Sequence, residues 1–257
     1  MNILVCIKQV PDPESMIRIN EKTGWIEEGR DMTYRMNRYD EYALEEAVLI
    51  RERYPETVID AVSVGPDRVR SSIIKSLEKG AGNGIHLRDE RNCLTAEETA
   101  SCIASFARRR DYDLIFCGVM SEDLMQCQVG PMIAALNTIP CAVSVLREEL
   151  DYAEGAVTVE CELEGGVHET MRLTLPCLLT MQSGINRPRY PSLSNVLRAK
   201  SADIATVTIE DLCAGQALER VLYLAYPDRS AKGTVLDGTA DEKAERLLSI
   251  FHEKSVL

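Results

Sequence analysis

The chain has 257 residues, 45% of them hydrophobic but only 5% aromatic, and a formal charge of -12. That length allows one α/β domain with appendages or two small domains, with a core built from Val, Ile, Leu, Ala and Met. The acidic balance excludes general nucleic-acid binding, which needs a basic surface, and no window offers the roughly 18 consecutive apolar residues of a membrane span.

Ile3-Leu4-Val5-Cys6-Ile7 is an unbroken apolar run, which predicts a parallel strand covered on both faces. The segment around it lacks the basic leader, apolar stretch and small-residue cleavage site of a signal peptide, so a cytoplasmic location is expected. A long excursion runs from Gln9 to about Tyr39 and contains Pro11, Pro13 and a Thr23-Gly24 turn. Connections of that length are usually functional, although a surface hairpin capping an edge is the alternative. A helix is predicted from about Asp40 to Arg53, with Asp40 as N-cap and Ala43, Leu44, Ala47 and Val48 on one face. Strand 58–64 ends at Gly65-Pro66. Asp67 is placed to cap the next helix, whose inward face is Val69, Ile73, Ile74 and Leu77 and which Gly80 stops. Gly84–Leu87 reads as a short strand, and Thr95-Ala96-Glu97-Glu98 as a capping box opening a helix to about Arg110. Strand Leu114–Cys117 follows, then a helix from about Gln126 with Val129, Met132, Ile133 and Leu136 on one face. Strands alternating with amphipathic helices predict an α/β fold with a doubly wound parallel sheet.

The period changes after Pro140. Val157, Val159, Cys161 and Leu163 alternate with polar residues, as do Val167, Met171, Leu173 and Leu175, which predicts an antiparallel hairpin turning at Gly165-Gly166 with Leu163 opposite Glu169. Leu178–Met181 reads as another buried strand. An irregular stretch containing Gly184, Pro188 and Pro191 leads to a short helix, Leu193–Lys200. From Ala202 to about Gly238 no strong period emerges. An extended arm is expected there, with a surface loop as the alternative, and Thr239 caps a last helix carrying Ala244, Leu247, Leu248 and Phe251 on one side. The expected division is a nucleotide-binding α/β domain over 1–200 and a C-terminal arm and helix over 201–257.

Nine cysteines occur at irregular spacing without a Cys-x-x-Cys pair, and most lie in apolar runs, so reduced core thiols are expected. The three histidines, at 86, 168 and 252, offer neither a zinc site nor a catalytic triad. In an open parallel sheet, ligands gather at the carboxyl ends of strands near the reversal of strand order. Lys8–Pro13, Gly65–Asp67 and Gly118–Gly130 leave such ends. At the last, free amides opening the helix can hold a phosphate, and Gly118 lets backbone approach a ligand, although strand–Gly–helix also occurs as plain architecture. Gly-x-Gly-x-x-Gly, the Walker loop and Gly-x-Ser-x-Gly are all missing. Without a thiol pair, metal or cofactor the side chains cannot carry electrons, so a redox role needs a bound flavin.

Several segments, in order, resemble electron transfer flavoprotein beta subunits. Val5-Cys6-Ile7-Lys8-Gln9-Val10-Pro11-Asp12 is similar to their Val-x-Val-Lys-x-Val-x-Asp start, and Asn37-Arg38-Tyr39-Asp40 with Ala43, Glu45 and Ala47 to their Asn-Pro-(Phe/Tyr)-(Cys/Asp)…Ala-x-Glu-x-Ala segment. Val62–Pro66 matches the next strand end, and Asp113–Gly130 their adenine-nucleotide loop in length and ending. Asn186–Lys200 resembles Asn-x-Pro-Arg-Tyr-x-x-Leu-x-Asn-(Ile/Val)-x-x-Ala-Lys.

The resemblance implies a sheet of the adenine nucleotide alpha hydrolase type in a heterodimer whose larger alpha subunit holds most of the FAD, with beta-subunit contacts from Asn37–Tyr39. It implies a pocket lined by Cys6, Asn37, Val64, Ser121, Asp123, Gln128, Val129 and Gly130, holding AMP or, in electron-bifurcating members, a second FAD reduced by NADH. Leu193 corresponds to the exposed leucine that docks partner dehydrogenases of the acyl-CoA dehydrogenase type. The loop Met120-Ser121-Glu122-Asp123-Leu124-Met125 departs from the usual Gln-Ala-Ile-Asp-(Gly/Asp)-Asp and is closer to a Ser-x-Asp-Leu variant of carnitine-associated anaerobic members. AMP and FAD both stay open. The rival reading is a stand-alone adenine-nucleotide-binding module of the universal stress protein type, whose glycine-rich phosphate motif is missing here.

Overall fold

A computed structural model describes residues 1–27, 29, 31–91, 94–212, 219, 221–227 and 233–255. In chain order these give strands β1 (Asn2–Cys6), β2 (Gln9–Pro11), β3 (Ile19–Asn20), β4 (Trp25–Ile26) and β5 (Tyr34–Met36), then helix α1 (Arg38–Arg53) and strand β6 (Val58–Gly65). Helix α2 (Arg70–Lys79), β7 (Asn83–Arg88), α3 (Ala96–Ala107), β8 (Leu114–Gly118) and α4 (Val129–Asn137) complete the alternating part. Strands β9 (Cys141–Asp151), β10 (Ala156–Glu162), β11 (His168–Thr174) and β12 (Cys177–Met181) follow, then α5 (Leu193–Lys200), β13 (Ile204–Thr208) and α6 (Ala240–Glu253).

One sheet has the order β11-β10-β9-β12-β8-β1-β6-β7-β13. Strands β9, β12, β8, β1, β6, β7 and β13 pair in parallel, and β9, β10 and β11 pair antiparallel. The chain runs outward from β1 through β6 to β7, then returns to lay β8 on the other side of β1. This reversal divides the helices. Residues of α1 and α2 pack with Ile3, Val5, Ile59, Ala61 and Phe116 on one face. Those of α3 and α4 pack with Leu4, Cys6, Val62, Ile115 and Cys117 on the other. Successive side chains of β1 thus enter opposite cores, which is why its sequence is apolar without alternation; each such burial is worth roughly 1.5–3 kcal/mol. The doubly wound parallel sheet with an antiparallel hairpin addition is the architecture that the sequence predicts.

Several local readings change. Asn37, not Asp40, is the N-cap residue of α1, and Asp40 lies inside the first turn. Asp67 makes no capping bond; it begins a short 3-10 turn, Asp67–Val69, that precedes α2. Helix α4 starts at Val129, three residues later than read, because Met125 and Cys127 take left-handed φ values of 53° and 55° that no helix tolerates. The hairpin register is two residues from the expected one: Cys161, not Leu163, faces Glu169. Leu163 instead donates its amide to the Val167 carbonyl at 2.8 Å, closing a tighter turn at Gly165 and Gly166, both with positive φ. Two strands were not predicted: β9, and β13 within the stretch from Ala202 where no strong period emerges. The capping box predicted at Thr95 forms, and the cap predicted at Thr239 is a capping box as well, side chain and backbone reciprocating in each.

By contact the chain falls into two compact units, Met1–Arg18 with Glu27–Leu222, and Ile19–Ile26 with Tyr223–Leu257. In the second unit, β3 and β4 form a small antiparallel pair, and Leu224 donates its amide to the Gly24 carbonyl. No helix among the described residues is long and apolar enough to cross a membrane.

Candidate functional site

Because β8 returns beside β1, the strand order reverses between these two strands, and open α/β sheets place ligands at the carboxyl ends of such a pair, which makes this end the candidate crevice. On the α3/α4 face, Cys6 is buried in the core, and Val64 and Val129 are half-buried against it. Cys6, Val64 and Val129, brought from three separate segments, therefore belong to the same side of the sheet. Ser121 is half-buried, while Asp123 and Gln128 are exposed on the loop between β8 and α4. Gln128 is the N-cap residue of α4, and its own side chain makes no capping bond there. Pro131, third in the helix, brings no amide, so Val129 and Gly130 are the helix-opening amides that could meet a ligand.

The loop is fixed from outside. Lys8, just beyond β1, donates from Nζ to Asp123 Oδ1 at 2.7 Å and to Ser121 Oγ at 3.1 Å. Arg35 on β5 pairs with Glu122 Oε1 at 2.9 Å, and the Arg38 amide donates to Glu122 Oε2. The excursion between β1 and α1, whose strands β2 and β5 pair, supplies these braces. Asn37 is buried with both ends of its amide engaged: Nδ2 donates to Asp40 Oδ1 and the Met120 carbonyl, and Oδ1 accepts from the Glu122 amide. It holds the loop in place. Tyr39 is half-buried, with its Cβ against Gly118.

Gly118 and Gly130 are glycines for reasons of space. A Cβ on Gly118 would lie 2.5 Å from Asp40 Oδ1 and 2.6 Å from Tyr39 Cβ, so the close approach at this strand end is made by the start of α1. A Cβ on Gly130 would lie 2.6 Å from Thr180 Cγ2, so Gly130 is the point where α4 settles onto β12.

Asp40 is 5% exposed. Burial pushes its carboxyl up to about 7, against the opposing pull of the Lys8 amide, Asn37, the Gly118 amide and the Lys8 charge. The Cys6 thiol, burial and the nearby Asp40 all raise the Cys117 thiol well above its ordinary value, so it stays neutral. Cys6, Cys102, Cys117, Cys161 and Cys177 are buried and Cys141 half-buried, as expected of core thiols, but Cys127 is exposed on the loop; Cys93 and Cys213 lie outside the described residues.

A second feature lies at α5. Tyr190 is 95%, Leu193 76% and Leu197 58% exposed, an apolar patch on one short helix and its approach. Polar side chains hold the segment beneath it. Arg189 forks onto Glu45 and reaches Glu52, and Asn186 donates to Glu46 and the Tyr42 carbonyl. Arg198 donates to the Leu77 and Ala81 carbonyls and Arg51 to that of Gly80, so two other helices supply the guanidiniums that close the end of α2. The sequence reading gave Leu193 a docking role, whereas Asn186, Arg189 and Glu45 entered it only as parts of family motifs, with no structural role.

The family profile for the electron transfer flavoprotein domain matches residues 26–212. Among curated proteins, the chain is 31% identical to the electron transfer flavoprotein subunit beta of Methylophilus methylotrophus over 98% of both chains. It is 34% identical to the mitochondrial subunit beta of Arabidopsis thaliana, over 98% of this chain and 99% of that one. It is 30% identical to subunit beta of Bacillus subtilis over 99% of each. With the profile across most of its length and relatives of this identity end to end, the chain belongs to the electron transfer flavoprotein beta subunit family.

Proposed function

We propose that this chain works as the beta half of a heterodimer with an electron transfer flavoprotein alpha subunit, shuttling electrons through an FAD that the two chains share. Its electrons would come from a flavoenzyme of the acyl-CoA dehydrogenase type and pass to a downstream acceptor. FAD, when bound, supplies the redox chemistry; this chain's residues bind, orient and exclude water.

The observation that carries the reading is the reversal of strand order between β1 and β8, with Cys6, Val64 and Val129 on the side of the sheet that faces α3 and α4, the loop braced at Ser121 and Asp123, and the start of α4 beyond it. These features suit an adenine nucleotide: apolar side chains for the base, hydroxyl and carboxylate acceptors for the ribose, and helix-opening amides for a phosphate. The ligand is AMP, held as a structural element, or the AMP half of a second FAD. The patch of Tyr190, Leu193 and Leu197 supports docking of the electron donor, since an exposed apolar cluster on a held helix suits a transient partner.

Co-expression with the alpha subunit tests this directly. A yellow heterodimer that releases one FAD and one AMP on denaturation is the expected result for the simple carrier. Two flavins per heterodimer would instead identify the bifurcating form, in which NADH is the reductant. A colourless complex without adenine nucleotide would overturn the proposal.

A further inference from the structure

We infer that Asp40 is the positioning residue of this crevice: its carboxylate sets where the chain leaves β1 and where it leaves β8, and through Asn37 it sets the loop wall that holds the nucleotide. The inference rests on the nucleotide-binding reading above. Three donors from three segments converge on Asp40. The Lys8 amide reaches Oδ2 at 2.6 Å, the Gly118 amide reaches Oδ1 at 3.1 Å, and Asn37 Nδ2 reaches Oδ1 at 2.9 Å. Asn37 extends the chain of bonds to the Met120 carbonyl and the Glu122 amide, at 2.9 and 3.0 Å. One buried side chain thereby connects the two strand ends that define the crevice with the loop that lines it.

The donor set is specific for a carboxylate. All three groups on Asp40 are N–H donors, so none can accept a proton from a neutral carboxyl or from an asparagine amide. The position is also expensive to ionise, because a buried charge that no cation bonds directly is disfavoured. Capping of α1 does not account for it, since Asn37 is the N-cap residue. Lys8 is the charge facing Asp40 from the end of β1, and its ammonium is bonded to Ser121 and Asp123. The Cys117 thiol on β8, raised by the Cys6 thiol on β1 and by burial, also stands near Asp40 and stays neutral. Burial has moved the Asp40 carboxyl up to about 7, so the acceptor is lost within an accessible pH range.

The test uses the heterodimer purified with its alpha subunit and dialysed at about pH 8 and about pH 6. Retained adenine nucleotide is measured after acid release, and visible flavin absorbance is followed in the same samples. Wild type is expected to hold its nucleotide at the higher pH and to lose it at least about tenfold faster at the lower one, the effect of losing one hydrogen bond to a charged acceptor. Asp40→Asn should lose nucleotide at the fast rate at both pH values, a flat profile that general loosening of the fold would not give. The variant removes a buried charge and is expected to fold; if it does not, the wild-type profile decides alone. A wild type that releases nucleotide equally slowly at both pH values, or an Asp40→Asn heterodimer as retentive as wild type, overturns the Asp40 assignment and leaves the nucleotide reading standing. A wild type containing no adenine nucleotide at either pH overturns both.

Discussion

A methyl group on Gly118 would meet Asp40 Oδ1 and the Tyr39 backbone carbon, at 2.5 and 2.8 Å, and neither is the far end of a flexible chain. Gly118→Ala is therefore expected to destabilise the fold by about 1–3 kcal/mol, read as a shifted urea midpoint with unchanged slope. A second residue-scale prediction concerns Glu46, whose neighbour Glu148 is nearly buried and ion-paired to Arg53. Burial raises the Glu46 carboxyl to about 7, with Asn186 opposing and Glu148 adding to the rise. Its folded value lies above its unfolded one, so its stabilisation is complete below about pH 4.5 and is lost as pH rises through about 7. Glu46→Gln should flatten that slope between about pH 5 and 8; a slope unchanged in the variant would contradict it. Some of this was legible beforehand. Asp40 stands three, four and seven residues before Ala43, Leu44 and Ala47, so the apolar period of α1 already turns it inward. Two of its three donors could not be read, because they come from Lys8 and Gly118, far away in the chain.

At the scale of single elements, α5 depends on its supports. Arg189 bonds Glu45 through its side chain and its own amide, and Lys79 donates to the Arg189 carbonyl at 3.0 Å. Arg189→Ala should lower stability by about 1.5–3 kcal/mol and speed amide hydrogen exchange across 186–200. Unchanged exchange there would show that the helix stands without this fork. Leu193→Ala carries the opposite expectation. At 76% exposure it should leave stability within about 0.5 kcal/mol while slowing reduction of the heterodimer by its dehydrogenase partner, measured by stopped-flow flavin bleaching. Helix starts that carry strong local signals, such as Thr95 and Thr239 with their reciprocal glutamates, were readable to the residue, whereas α3 ends at Ala107 rather than about Arg110. The hairpin was readable in parity but not in register, since both pairings keep the apolar residues on one face and only the turn chooses between them. Strand β9 escaped because a register shift within its pairing to β10 breaks its alternation.

For the whole molecule, the parallel sheet was visible in the alternation of apolar runs with amphipathic helices, whereas the strand inside the expected arm was not. Strand β13 joins the sheet edge through parallel pairing of Ile204–Thr208 with Gly84–Arg88, a long-range backbone match that leaves little trace in side-chain pattern. Helix α6 is amphipathic but has no buried residue of its own, and Leu247 and Leu248 are both exposed. A helix of this kind is expected to gain protection only against the alpha subunit. Hydrogen exchange in 240–253 should slow markedly in the heterodimer relative to the free chain, and equal rates would place the subunit contact elsewhere. The acidic character of the chain adds a further expectation: heterodimer assembly rates will depend on ionic strength if the partner face is basic.

The cysteines give the crevice a natural reporter. Burial holds the Cys102, Cys141 and Cys177 thiols at about 11 to 12, and Cys117 higher than its ordinary range, so maleimides reach them slowly. Cys127 stands exposed in the very segment that would close over a phosphate. A fluorophore attached there would brighten or dim as that segment is filled, giving an optical readout of occupancy independent of flavin colour.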